Sequence, residues 1–206
     1  MINPGASMGK MEAKREAKRR AILAAARDEF LSVGFEAANM DRIAAAAQVT
    51  KQTVYRYFPS KIDVFEATLQ LIGQSSGADF LHHLEGEEPW RALVQFAEGF
   101  MRWHLEEEPL RVFRLLVAEC ARSPEVVSTF FTAAPDQTDA ALATFFIQRL
   151  GVAEPEAHMS LLTSMLLAHR DDALLGRGRP DDPEIARHAE MAVRMVLADL
   201  GFLETS

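Results

Sequence analysis

The sequence predicts an all-α fold in two parts, a small N-terminal unit of three helices and a larger helical body, and three observations carry that reading. Apolar residues recur at helical spacing in segment after segment, with no strand-like alternation of useful length between them. Residues 39–61 read as two short amphipathic helices joined by a tight turn. The charge is divided as well. Residues 1–61 hold 11 Lys and Arg against 6 Asp and Glu, a net of +5, whereas residues 62–206 hold 11 Arg against 24 Asp and Glu, a net of −13.

The elements follow in order. Met1–Gly9 carries no charge and includes Pro4, Gly5 and Gly9, which predicts a disordered tail over residues 1–9. A first helix is expected from about Lys10 to Val33, with Ile22, Leu23, Ala26, Phe30 and Val33 inward and Gly34 ending it. Its opening turns hold Lys14, Arg15, Lys18, Arg19 and Arg20, which suit either a DNA backbone or a solvated helix start. A second helix begins after Asn39, whose side-chain oxygen can accept an orphan backbone N–H, and places Met40, Ile43, Ala44 and Ala47 on one face. Gln48 and Val49 make the turn, Thr50 caps the third helix, and Val54 with Phe58 anchors it at i, i+4 spacing. Ser60 and Asp63 have the spacing of a capping box that opens a fourth helix to about Ile72.

What remains on the third helix points outward: Lys51, Gln52, Thr53, Tyr55, Arg56 and Tyr57. A helix of this kind reads base edges mainly through its N-terminal residues while neighbouring groups grip phosphates. Gln52 can address adenine in bidentate fashion, and the Thr53 methyl can pack on a thymine methyl. Lys51, Tyr55, Tyr57 and Lys61 suit phosphates, and the azimuth of Arg56 depends on where the helix begins. With Asn39, Met40 and Thr50 at the helix starts, these form the candidate DNA-contacting set. The alternative reading of the same pattern is a solvated charged face with two packing tyrosines.

Arg20–Phe35 followed by MDRIAAAAQVTKQTVYRYFPSK resembles the N-terminal domain of TetR-family transcriptional repressors over roughly Arg20 to Phe65. The ending Tyr55, Tyr57, Phe58, Ser60, Lys61 lies at the family's offset from the turn and from Gly34. Two departures stand out. Gln48 occupies the place of a usual Gly, which puts a Cβ near the left-handed region at a cost on the order of 1 kcal/mol. Ala38 and Asn39 replace a Thr/Ser-rich pair, so one hydroxyl offered to a phosphate is missing. The resemblance implies a helix-turn-helix DNA-binding domain, here residues 10–59, and a helical ligand-binding and dimerisation domain, here residues 60–206.

The body itself reads as follows. About Pro89–Glu106 is a helix whose polar residues Arg91, Gln95, Glu98 and Arg102 leave one narrow wet stripe, so neighbours must enclose the rest. Pro109 opens a helix through Arg122, Ser123-Pro124 restarts the chain, and Pro135 divides the long segment after it. The last two helices are expected over about Glu154–Leu175 and Asp182–Leu200. In the resembling family such a pair joins a second subunit in a four-helix bundle, which implies dimerisation through Leu161, Met165, Ala168, Ile185, Ala189, Ala192 and Val196. Stripes of this kind are core in most proteins. The family also implies a small-molecule pocket, and the aromatic and Met density of the central helices nominates Trp90, Phe96, Phe100, Trp103, His104, Phe113, Phe130, Phe131, Phe145 and Met165 to line it. Aromatic residues at helical spacing are more often plain core. Arg102, Arg114 and Glu119 join His104 as possible polar anchors.

Other classes find little support. No Gly-rich phosphate loop, nucleophile elbow or paired zinc-ligand motif is present, so neither an enzyme nor a cofactor is expected. No apolar run reaches the ~20 residues of a membrane span, and no signal-peptide core opens the chain, which points to the cytoplasm. Cys120 is the only cysteine and reads as a core thiol in a reducing compartment. The expected partners are double-stranded operator DNA, a small-molecule effector and a second copy of the chain. The competing functions are an architectural DNA-binding protein without ligand control and, further off, an all-helical enzyme.

Overall fold

The structure, a computed structural model, describes residues 4–75, 78–133 and 137–202, with side chains described from Met11 onward except 73–75, 78 and 129–133. The described residues hold eleven α-helices, one 3-10 helix and no strand. They fall into two compact units.

The first unit comprises residues 1–75 and 115–134. It contains α1 (Pro4–Ala37), α2 (Met40–Ala46), α3 (Lys51–Tyr57), α4 (Lys61–Ser75), the end of α6 (Glu107–Glu119) and α7 (Pro124–Ala133). Ile22, Leu23, Ala26 and Phe30 of α1 are buried as their spacing requires. Phe30, Phe35 and Phe65 form a cluster whose rings meet at 5.1–5.8 Å, two of the three pairs edge to face, a favoured aromatic geometry. Val33, expected inward, is instead exposed, because the helical path breaks at the next residue: Gly34 has φ 85° and ψ 171°. That region is essentially open to glycine alone. The capping box forms as expected, with Ser60 N–H donating to Asp63 Oδ2 at 2.8 Å and Asp63 N–H to Ser60 Oγ at 3.2 Å.

The second unit comprises residues 76–114 and 135–206. It contains the 3-10 helix Ala78–Glu85, α5 (Pro89–His104), the start of α6, α8 (Gln137–Leu150), α9 (Glu156–Leu166), α10 (Arg170–Leu174) and α11 (Asp182–Asp199). On α5, Arg91, Gln95 and Arg102 are exposed and Glu98 is half-buried, whereas Leu93, Phe96, Ala97, Phe100 and Met101 join a core with Phe146, Leu162, Ala189 and Val193. Gly99 lets the 3-10 helix lie close, since a Cβ there would collide with that of Phe80. Arg149 fastens the loop before α5 by donating to the carbonyls of Leu84, Gly86 and Glu87.

Four further expectations change. Pro4 opens α1 at a position where a proline N–H is not missed, so helix is assigned across most of the stretch expected as a tail, and only Met1–Asn3 of it lies outside the described residues. The 10–59 and 60–206 division differs from the packing: α4 and residues 115–134 belong with α1, α2 and α3. Residues 154–175 do not form one helix, because the chain turns at Leu167–His169, where Arg170 N–H bonds the Leu167 carbonyl and α10 restarts. Cys120 is exposed, its thiol donating to the Val117 carbonyl at 3.0 Å, because Leu115, Leu116 and Glu119 take the inward positions of α6. Pro135 lies outside the described residues, between the end of α7 and the start of α8.

Candidate nucleic-acid interface

The candidate recognition element is α3, a helix of seven residues held at both ends. Thr50 caps it, its side chain accepting from Thr53 N–H at 3.2 Å, and Val54 is fully buried beneath it. That anchor decides which side faces out: Lys51, Gln52, Tyr55 and Arg56 are exposed and Thr53 is half-buried. The Thr53 hydroxyl lies 2.9 Å from that of Thr50, so the cap occupies it and its methyl is the part left for another contact. Lys51 Nζ reaches Asp41 Oδ2 at 2.9 Å, and that hydrogen bond with the attendant charge raises its pKa above the usual lysine value. Arg56 lies along the Tyr57 ring at 5.9 Å, and the Tyr57 hydroxyl donates to the Arg15 carbonyl at 3.3 Å. The basic start of α1 is thereby tied beside α3.

Asn39 caps α2 as expected, accepting from Asp41 N–H at 2.7 Å. The turn before α2 is held by groups that sequence spacing did not single out. Glu29 Oε1 accepts from Asn39 N–H at 3.0 Å and Arg42 Nε at 2.7 Å, while Arg42 also donates to the Ala37 carbonyl at 2.7 Å. The hydrogen bond from Arg42 holds the Glu29 carboxyl below the usual carboxylate range. Glu119 is 4% exposed, and its Oε1 accepts from Phe35 N–H at 2.9 Å and Glu36 N–H at 3.4 Å. Ser123 donates to Glu36 Oε1 at 2.7 Å. Three carboxylates and a hydroxyl thus close the Gly34–Asn39 turn, and their partners are up to 87 residues away, which is why local pattern does not reveal them.

Two candidate DNA contacts sit differently from expectation. Met40 is 6% exposed and packs inward with Ile43 and Ala44, so its side chain faces the core rather than solvent. Lys61 donates to the carbonyls of Phe35 at 2.8 Å and Glu36 at 3.0 Å, with its ammonium 4.5 Å from the Phe35 ring centre. Its charge is engaged in closing the same turn. Gln48 adopts φ 55°, the left-handed conformation expected where glycine is usual.

In the second unit the pocket candidates divide. Phe96, Phe100 and Phe145 are core, and Trp90, Trp103, Phe113 and Met165 are half-buried. His104 is bonded through Nδ1 to the Phe100 carbonyl at 2.9 Å. Phe130 and Phe131 fall on α7, which packs in the first unit, and their side chains lie outside the described residues. Of the polar anchors, Arg102 pairs with Glu98 and Asp182, Arg114 donates to the Leu174 carbonyl at 3.4 Å, and Glu119 serves the turn described above. The dimerisation set needs correction. Ile185, Ala189, Ala192 and Val196 are buried in the chain's own core, because the inward stripe of α11 is used up against α5 and α9. Leu161 is 50% exposed and Ala168 is also exposed; on α11 the exposed apolar side chains are Met191 at 55% and Met195 at 58%, which sequence reading missed.

Comparison with known proteins gives the same architecture a lineage. Residues 22–68 match the profile of the bacterial regulatory proteins of the tetR family, and residues 91–199, over half of the chain, match that of the AefR-like transcriptional repressor C-terminal domain. The HTH-type transcriptional regulator SrpR of Pseudomonas putida is 35% identical over 85 residues, covering 41% of this chain and 40% of SrpR, so the similarity spans less than half of that relative. The HTH-type transcriptional repressor KstR of Mycobacterium tuberculosis is 25% identical over 91% of this chain and 84% of its own. Among solved structures, a TetR-family regulator from Mesorhizobium loti superposes with a TM-score of 0.76 at 26% identity, covering 90% of this chain and 97% of that one. The flavonoid-responsive regulator FrrA gives 0.74 at 25% identity, covering 88% and 96%. With a capped, outward-facing α3 at its N-terminal end and both halves of the chain matched, this protein belongs to the TetR family of transcriptional regulators.

Proposed function

We propose that the protein is a repressor that holds a palindromic operator as a homodimer in the cytoplasm and is released by a small, largely apolar effector bound in the second unit. The observation that carries the DNA-reading part is the orientation of α3, whose buried Val54 turns Lys51, Gln52, Tyr55 and Arg56 to solvent. Gln52 and Thr53 read bases, while Lys51, Tyr55 and Arg56 grip phosphates. A pair of such helices reads two half-sites about one DNA turn apart, ~34–36 Å. The exposed Leu161, Met191 and Met195 on two helices that pack together supply the apolar part of a subunit interface. Repression is supported by the repressor names of the C-terminal profile and of KstR, and effector control by the name of FrrA. No helix among the described residues is long and apolar enough to cross a membrane.

The effector acts only as far as it prefers one form of the dimer over the other. Anisotropy titration against a duplex selected from a random pool, with and without a chemically varied ligand set, tests the whole reading. Binding to a two-fold symmetric site, weakened by at least one ligand, is expected. Binding that no ligand alters would leave an architectural DNA-binding protein.

A further inference from the structure

The break between α9 and α10 produces the least expected electrostatic feature of the second unit. Arg170, the first residue of α10, lays its guanidinium on the Phe113 ring of α6, 3.7 Å from the ring centre. Its Nε is fully buried and has no hydrogen-bond partner, and no carboxylate lies within ion-pair distance among the described residues. Other arginines of this unit have partners, whether half-buried like Arg149 or exposed like Arg102. Arg149 holds three carbonyls, and Arg102 pairs with Glu98 and Asp182. On the surface Arg177 pairs with Asp172, Arg179 with Glu107 and Arg194 with Glu190.

A partly desolvated guanidinium without an anion is unfavourable, because water is withdrawn and nothing replaces it. Stacking on an aromatic face offsets part of that loss, and it fixes the plane of the fork without using its edge N–H groups. Burial accordingly pushes the Arg170 pKa below the usual value, with Asp171 opposing it only through space. The preceding residue repeats the pattern. His169 Nε2 is buried without a partner, and its ring stands edge to face on that of His188 at 4.8 Å. His188 is itself fixed, its Nε2 bonding the Met165 carbonyl at 2.8 Å. Two adjacent side chains therefore present orphan polar atoms, and one of them lies against Phe113, an apolar residue nominated for the effector pocket.

We infer that the effector is an organic carboxylate, an apolar body carrying one carboxyl group, and that Arg170 stacked on Phe113 is the side chain that holds this group. The inference rests on the effector-controlled reading above. A carboxylate matches the planar fork in a charge-assisted pair, whereas a neutral amide of the same shape offers one acceptor and no charge. His169, the preceding residue, is a further polar neighbour, and the apolar body has the Phe113 ring to pack on.

The experiment uses the full-length protein and matched probes, octanoate against octanamide and 1-naphthoate against 1-naphthamide, titrated by calorimetry and by thermal shift with operator occupancy read in parallel. The acids are expected to bind at least about tenfold more tightly than their amides. In Arg170→Met that ratio should fall to near one, and in Arg170→Lys, which keeps the charge but not the fork, an intermediate ratio should remain. Retained operator binding shows that each variant is folded. An acid-to-amide ratio that persists in Arg170→Met, or no saturable binding of any acid, overturns the inference. If acids and amides alike release DNA from both proteins, effector control stands and the Arg170 site is refuted. If acids bind through Arg170 without altering operator occupancy, the site stands and effector control fails.

Discussion

Replacing Glu119 tests how the first unit holds its reader in place. Its Oε1 is the acceptor for the buried Phe35 N–H at 2.9 Å and, less favourably, for Glu36 N–H at 3.4 Å. A hydrogen bond to a charged acceptor contributes about 1.5–3 kcal/mol, and losing it leaves a buried donor unsatisfied. The opposing effect is also visible. Glu119 Oε2 is buried without a partner, so the carboxylate loses hydration that is not fully replaced. Glu119→Ala should therefore destabilise by about 2–3 kcal/mol, the short bond outweighing the desolvation it entails. In a protein of this size that lowers the melting temperature by roughly 5–10 °C. Glu119→Gln keeps an oxygen acceptor and relieves the buried charge, so it should cost less than about 1 kcal/mol. Calorimetric melting of the three proteins measures this, with operator affinity as the second readout. Because the turn precedes α2, operator binding should weaken in the Ala variant at temperatures well below its melting point. An Ala variant as stable as the parent would show that the Phe35 amide does not depend on this carboxylate, and a Gln variant as damaged as Ala would show that charge is required.

Three further outcomes are expected. Gln48→Gly should stabilise the first unit by up to about 1 kcal/mol, since φ 55° suits glycine better than a residue with a Cβ; urea titration showing a loss would refute strain at that turn. Glu29 has its folded pKa lowered by Arg42, so the stability it gives is present above the ordinary carboxylate range and is lost as pH falls through the lowered value; Glu29→Gln should lose less melting temperature than the parent between pH 7 and pH 4, and an equal loss would remove Glu29 from the acid response. Met195→Glu, at a position 58% exposed, should shift sedimentation from dimer to monomer while leaving the melting profile of the second unit nearly unchanged, whereas an unaltered dimer would place the interface elsewhere.

The local grammar of the chain is well written in its sequence. Caps and turn residues are short-range devices, so Asn39, Thr50 and the Ser60–Asp63 pair stand where spacing put them. The outward face of α3 was legible for the same reason, because Val54 and Phe58 fix its azimuth. Illegible were interactions set by chain segments far apart. Lys61 looks like a phosphate ligand by type and offset, yet the carbonyls it holds belong to a turn 25 residues earlier. Periodicity marked the apolar stripe of α11 but could not say whether α5 and α9 or another subunit would cover it. The turn at Leu167–His169 carries no glycine or proline, so nothing local announced the stacking of Arg170 on Phe113.

Base-resolved binding of full-length protein to operator variants at low ionic strength, compared with Gln52→Ala and Thr53→Ala, tests most directly that α3 enters the major groove. A two-fold symmetric site is expected, in which each substitution changes preference at particular base pairs, mirrored in both half-sites. A uniform loss over every variant, or a purified protein that ignores duplex DNA at low salt, would contradict it.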